Sequence, residues 1–319
     1  MSSKRFCSIW AITVLAGIVA IVGSSLWLDH YALFGDPKGK VRKVYRSERT
    51  SKYLHSFRYV PSNFDGLLLG ASISANWDTS RLKSARVYNA SILGANFFEE
   101  ALIADNALSA GRIHWVIACV HPYLTNTHGR KSEYMTPEEY RSALGSLNLF
   151  IEEAAKLLTD HGLMTGRYNE YGAYDYTGDP DFEKTHGSQS DPNAVRRAMQ
   201  VYIDQRIKSG KPEAQFSISP GALDDLRGIF ATATQHGAKV LVVYPPIYSF
   251  RFEVERADWE AYWSTLATVI PPEATVLNFN LPPYDVGRAD ITNFHDSRHL
   301  SKKYAVYLVS ELDRFLAEH

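Results

Sequence analysis

Cysteine is nearly absent from this chain of 319 residues: Cys7 and Cys119 are the only two. Cys7 lies in a long apolar run and Cys119 in a short strand-like one, so no intramolecular disulfide is expected and the fold must be held by its core. A buried apolar cysteine is ordinarily inert, which argues against Cys119 as a nucleophile. Net charge is nearly absent too, at −1. Neutralising a phosphate backbone needs a concentrated basic face, so no nucleic-acid partner is expected. Also missing are a glycine-rich phosphate loop, a dinucleotide fingerprint and an HExxH pattern, and neither a cofactor nor a metal is expected. His295 and His299 flank Asp296 but have no evident third ligand. No repeat or low-complexity tract occurs, and hydrophobic and charged fractions of 45% and 22% are those of a globular protein.

What the chain does have is a charge-free run from Cys7 to Leu28, preceded by Lys4 and Arg5 and followed by Asp29. About 20 apolar residues at roughly 1.5 Å each cross a hydrocarbon core of about 30 Å. Basic residues on the N-terminal side hold that end in the cytoplasm. The expectation is a single-pass cell-membrane anchor over 7–28, with 1–6 cytoplasmic and the rest periplasmic or extracellular. A cleaved signal peptide has a shorter apolar core, although Gly23, Ser24 and Ser25 leave cleavage open as the alternative.

Residues 29–62 are polar and basic, with Lys38, Lys40, Arg42, Lys43, Arg46, Arg49, Lys52 and Arg58 and no sustained period. They read as a juxtamembrane linker, either a solvated stalk or a contact for anionic headgroups or an acidic polymer. Beyond them, 63–319 read as one α/β domain. Gly66 to Leu69, Val87 to Asn89, His114 to Val120, Lys239 to Tyr244 and Thr275 to Phe279 are short apolar runs consistent with buried strands. Helical stretches lie between them, such as the one opened by Ser219 and Pro220 and stopped by Gly237. That alternation predicts a three-layer α/β sandwich with a mainly parallel sheet.

An insertion at about 124–218 interrupts the alternation. Thr136, Pro137 and Glu139 form a capping box opening a helix toward Leu158, and a second helix is expected from Pro192 to Ile207. Between them Arg167 to Asp191 is rich in Gly, Asp and Tyr, including Tyr168, Tyr171, Tyr174 and Tyr176. Such tyrosines can stack on sugar rings or simply pack locally.

Two segments could carry chemistry. Phe64 to Ser72 is an apolar strand that delivers Gly70-Ala71-Ser72 at its carboxyl end, where parallel sheets form their ligand crevice. The bland alternative is a turn and helix cap. Near the other end stand Asp296 and His299, just before an amphipathic run from Lys302 to Ala317 for which Ser301 is the expected N-cap. A serine hydroxyl becomes a useful nucleophile when an imidazole removes its proton, and the imidazole needs a carboxylate to fix its tautomer. Ser74 is a rival nucleophile, but it falls inside the helix.

On Gly70-Ala71-Ser72, Tyr88-Asn89 to Gly94, and Asp296 with His299, the chain resembles the SGNH hydrolase superfamily. The branch it resembles is membrane-anchored and associated with bacterial surface-polysaccharide and cell-wall acylation. The likeness runs from about Asn63 onward, and the Pro245-Pro246 pair fits it. It implies Ser72 as nucleophile, His299 as base and Asp296 as its orienter, with the amides of Ser72 and Gly94 as oxyanion donors. Two departures stand out. Ala71 occupies the middle of the first block, where Asp or Ser is usual. At the third block Cys119-Val120-His121-Pro122 replaces the usual Gly-x-Asn-Asp, which puts His121 where an asparagine would complete the oxyanion hole. His121 could donate from a neutral ring, serve only structurally, or yield the role to Asn96 or Asn126. The resemblance further implies serine acyl transfer, an O-acetyltransferase or acetylesterase acting on an exported polysaccharide, with a membrane-bound acyltransferase as a docking partner. A catalytically silent scaffold or binding subunit of a polysaccharide-modification complex is the alternative.

Overall fold

The computed structural model describes residues 3–38, 40–129, 135–144, 146–177, 179, 192–209, 216–296 and 298–319. Its centre is a five-stranded parallel sheet: β1 (Gly66–Leu69), β2 (Val87–Asn89), β3 (Trp115–Cys119), β4 (Lys239–Tyr244) and β5 (Thr275–Asn278), in the order β2-β1-β3-β4-β5. Gly66 aligns with Val87 on one side and Trp115 on the other, and Trp115 in turn with Lys239. Alternate side chains serve opposite faces, as the twofold strand period requires. Leu67, Leu69, Val116, Ala118, Val240 and Val242 enter one core, and Leu68, Ile117, Cys119, Leu241, Val243 and Leu277 the other. A fully buried leucine contributes about 1.5–3 kcal/mol, so two such faces suffice without a disulfide.

The helices, in chain order, are α1 (Ser3–Leu28), α2 (Glu48–Phe57), α3 (Tyr59–Asn63), α4 (Ser72–Ala75), α5 (Phe97–Leu108), α6 (Pro122–Thr125), α7 (Pro137–Ser142), α8 (Leu147–Asp160), α9 (Pro192–Ser209), α10 (Pro220–Gln235), α11 (Ser249–Ala267) and α12 (Lys302–Glu318). Helices α5, α10 and α11 cover the first sheet face and α12 the second, which makes three layers. Among the described residues, α1 is the one helix long and apolar enough to cross a membrane, and only Ser25 and Leu28 of it are buried.

Three sequence expectations need correction. Residues 29–62, expected as a juxtamembrane linker without a period of its own, instead include described segments that fold onto the domain. Asp29 accepts hydrogen bonds from the Leu33, Phe34 and Gly35 amides, Arg42 is buried beside it, and α2 packs on α5. The residues that α2 buries are Thr50, Ser51, Lys52, Leu54, His55 and Ser56. Five of those six are polar, so the apolar residues alone do not mark all that the helix buries. The single helix expected from Thr136 toward Leu158 is two: the Thr136–Glu139 capping box opens α7, and a new start follows where Ser146 caps the Leu149 amide at 3.3 Å. Finally, His114 and Val120 lie just outside β3, and Phe279 just outside β5.

Candidate active site

Every candidate residue sits beyond the carboxyl end of a strand. Ser72 follows β1, Gly94 follows β2, His121 follows β3, and Asp296 and His299 lie in the connection from β5 to α12. The strand order reverses between β1 and β3, which opens a crevice at that edge. The tight exit from β1 depends on Gly70, where a Cβ would stand 2.2 Å from Ser74 Oγ and 3.2 Å from the Cys119 Cβ. Ser72 is the first residue of α4, so its amide has no partner within the helix. Asn89, at the end of β2, fastens α4 from below. Its Nδ2 donates to the carbonyls of Ser74 at 2.8 Å and Trp77 at 2.9 Å, and its Oδ1 accepts from the Ser91 amide at 3.0 Å.

The structure brings Ser72, His299 and Asp296 together across 227 residues of sequence. Ser72 Oγ lies 2.9 Å from His299 Nε2, and His299 Nδ1 lies 2.7 Å from Asp296 Oδ2. The other carboxylate oxygen, Oδ1, accepts from the Arg298 and His299 amides, both at 2.7 Å. Asp296 is thereby locked in rotation. A carboxylate accepts, so His299 Nδ1 carries the proton and Nε2 offers its lone pair to the Ser72 hydroxyl. The loop is closed at its base by the His295 amide donating to the His299 carbonyl at 2.7 Å. His299 is buried, and Ser72 is half-buried.

His121 is buried at the start of α6, where its Nδ1 accepts from the Tyr123 amide at 3.2 Å. Burial first, then the positive charges of Arg298 and Arg251, push its imidazole well below the ordinary histidine range, so the ring is neutral. With Nδ1 accepting, Nε2 must hold the hydrogen and can donate. His121 borders a recess of about 10 Å³ with Ile73, Pro245, Pro246 and Trp259, room for about one water-sized group. Gly94 has φ of +70°, and among the described residues its amide meets no acceptor.

The rival nucleophiles are buried. Ser74 Oγ is fully buried against Ser91 Oγ at 2.8 Å. Burial pushes the Cys119 thiol up to about 12. Asn96 uses its Oδ1 to cap α5 through the Glu99 amide at 3.2 Å, and Asn126 ends α6.

One residue at the site carried no such role in the sequence. Tyr176 donates its hydroxyl hydrogen bond to the Ser72 carbonyl, and its ring meets the His299 ring edge-on at 5.8 Å. The loop that carries it runs along the free edge of β2, where the Asn89 amide donates to the Tyr171 carbonyl at 2.7 Å, and onto α4, where the Tyr174 amide donates to the Ala75 carbonyl at 2.7 Å. Tyr168, Tyr174 and Tyr176 pack successively, each ring 4.8 Å from the next. The remainder of the tyrosine-rich stretch, 178 and 180–191, lies outside the described residues. Beside the triad rather than upon it, a cavity of about 330 Å³ is walled by Asn76, Asp78, Asn169, Tyr174, Tyr176 and Lys302.

No family description matches the chain, and no curated protein matches it by sequence. Among solved structures, a protein of Streptococcus pneumonia provisionally described as a platelet activating factor superposes with a TM-score of 0.42 at 12% identity, over 85% of this chain and 92% of the other. Neither an activity nor a residue role carries across at that level.

Proposed function

We propose that this protein is a membrane-anchored, extracytoplasmic serine acyl-transfer enzyme, an O-acetyltransferase or acetylesterase acting on a surface or exported polysaccharide. The observation that carries the reading is the unbroken chain from Ser72 Oγ to His299 Nε2 at 2.9 Å and from His299 Nδ1 to Asp296 at 2.7 Å. His299 takes the hydroxyl proton as Ser72 attacks the acyl carbonyl, and Asp296 stabilises the imidazolium that results. The amides of Ser72 and Gly94, with Nε2–H of His121, receive the oxyanion. His299 then returns its proton to the leaving alkoxide. Water or a sugar hydroxyl, deprotonated by the same imidazole, attacks the acyl-enzyme and frees Ser72.

The glycan, its delivery outside the membrane and an accompanying membrane-bound acyltransferase are suggested by the resemblance in sequence motifs and by α1. The cavity beside the triad fits a hydroxyl-rich acceptor: carboxylates and amides of Asp78, Asn76 and Asn169 stand beside tyrosine rings, the mixture that binds the edges and faces of a sugar. The test is covalent labelling of the full chain with a serine-reactive fluorophosphonate, together with turnover of an acetyl ester. Ser72→Ala and His299→Ala should abolish both. A folded wild-type protein that neither labels nor turns over would refute the enzyme and leave the silent scaffold.

A further inference from the structure

The segment that follows β2 closes a four-residue turn, in which the Ala95 amide donates to the Ile92 carbonyl at 3.1 Å. Gly94 holds its third position with φ of +70°. A positive φ there marks a type II turn, which glycine adopts without strain. The central peptide of that turn joins the Leu93 carbonyl to the Gly94 amide. A trans peptide is planar, and its C=O and N–H bonds point in opposite directions. Whatever grips the Leu93 carbonyl therefore aims the Gly94 amide.

Helix α2, the first beyond the apolar span, supplies that grip. Arg49 Nη2 donates to the Leu93 carbonyl at 2.9 Å, while Glu48 Oε2 accepts from the Leu93 amide at 3.0 Å. Lys52, wholly buried, donates to the Ser91 carbonyl. Arg49 is itself held in place, because its Nε donates at 3.0 Å to Glu99, the residue that closes the capping box at the start of α5. Its guanidinium is thus a fixed fork between the turn and α5. The Ile92 amide donates to the Gly70 carbonyl at 3.0 Å, which ties the same turn to the strand end just ahead of Ser72.

We propose that Arg49 is a positioning residue for acyl transfer: by holding the Leu93 carbonyl it aims the Gly94 amide at the oxyanion and strengthens it as a donor. This rests on the reading of Ser72, His299 and Asp296 as an acyl-transfer site. Two effects act together. A charge-assisted bond to the carbonyl resists rotation of the central peptide, which would turn the amide away. Withdrawing density from the carbonyl also makes the N–H on the same peptide a better donor, as hydrogen bonds in a chain polarise one another. Helix α2 is in this way part of the catalytic apparatus.

The test uses the full chain in detergent micelles, p-nitrophenyl acetate as substrate, and glycine labelled with ¹⁵N. Arg49→Ala should lower kcat by about 10²-fold, the order of losing one oxyanion donor, with KM changed by less than about twofold. The Gly94 amide proton should move upfield. Gly94→Ala should lower kcat by itself, and adding Arg49→Ala to it should cost little more, since both act through one donor. If Arg49→Ala does not fold, Arg49→Lys keeps the charge beside Glu99 but loses the fork, and is read by the same criteria. The proposal is overturned by a folded variant whose kcat stays within about threefold of wild type, by a loss confined to KM, or by an unmoved Gly94 resonance. Turnover that survives Ser72→Ala would instead overturn the acyl-transfer reading, and the Gly94 resonance would still report on Arg49.

Discussion

Replacing Asp296 by asparagine should silence the site while leaving the fold intact, and the reason lies in how Asp296 is held. Its Oδ1 accepts from two backbone amides, those of Arg298 and His299, both at 2.7 Å. An asparagine must keep its carbonyl oxygen on those amides, because turning over would set its NH₂ against two N–H donors. Its NH₂ then faces His299 Nδ1 at the 2.7 Å now occupied by a carboxylate oxygen. A donor there forces Nδ1 to accept, and the ring hydrogen moves to Nε2, where it opposes the Ser72 hydroxyl. The imidazole can no longer act as base in its ground state. Loss of the correct tautomer in a serine triad costs about 10⁴-fold in kcat, or about 5.5 kcal/mol of transition-state stabilisation. Initial rates of p-nitrophenyl acetate hydrolysis at pH 7.5, with thermal melting measured alongside, would register this. An Asp296→Asn protein that melts like wild type and retains a tenth or more of kcat would refute the argument, because the locked carboxylate would then not set the tautomer.

Two further predictions follow from His121 and the buried histidines. If Nε2–H of His121 helps receive the oxyanion, His121→Ala should lower kcat about 10- to 100-fold with KM nearly unchanged; full turnover in that variant, with Ser72→Ala inactive, would remove His121 from the site. His55 is held down to about 3, chiefly by burial and then by Arg42. A folded-state value below the unfolded value of about 6.5 means the unfolded chain binds the proton first. The stability is whole above about pH 6.5 and falls as pH drops, by about 2 to 3 kcal/mol for His55 at pH 4.5. His30 and His121 are lowered in the same direction. Urea denaturation at pH 7 and pH 4.5 should therefore show a marked acid loss that His55→Gln reduces; equal losses with and without His55 would contradict this.

The sheet and the meeting of Ser72 with Asp296 and His299 were legible in the sequence for physical reasons that the rest does not share. Buried parallel strands are continuous apolar runs, and Gly66 to Leu69 and Lys239 to Tyr244 are short runs of that kind, in regular alternation with helical stretches. Gly70 and Ser72 mark a strand exit, and Asp296 and His299 lie close in sequence, so local spacing already joined two thirds of the site. Tyr176 was opaque, since its tie to Ser72 spans 104 residues in a loop without a period. Helix α2 was hidden for another reason: residues such as Ser51, Lys52 and His55, which pattern reading assigns to solvent, are the ones it buries.

The junction after α1 has a mechanical meaning. Ser25 and Leu28 are already buried, the Asp29 amide still donates to the Ser25 carbonyl at 2.9 Å, and the Asp29 carboxylate at once gathers the amides of Leu33, Phe34 and Gly35. The described residues place no unpacked linker between the apolar helix and the body. With α1 in a bilayer, these contacts would tie the orientation of the crevice to that of the helix. On the acyl-transfer reading proposed above, the tilt of α1 in the lipid would then set which stretch of an acceptor polymer comes within reach of Ser72.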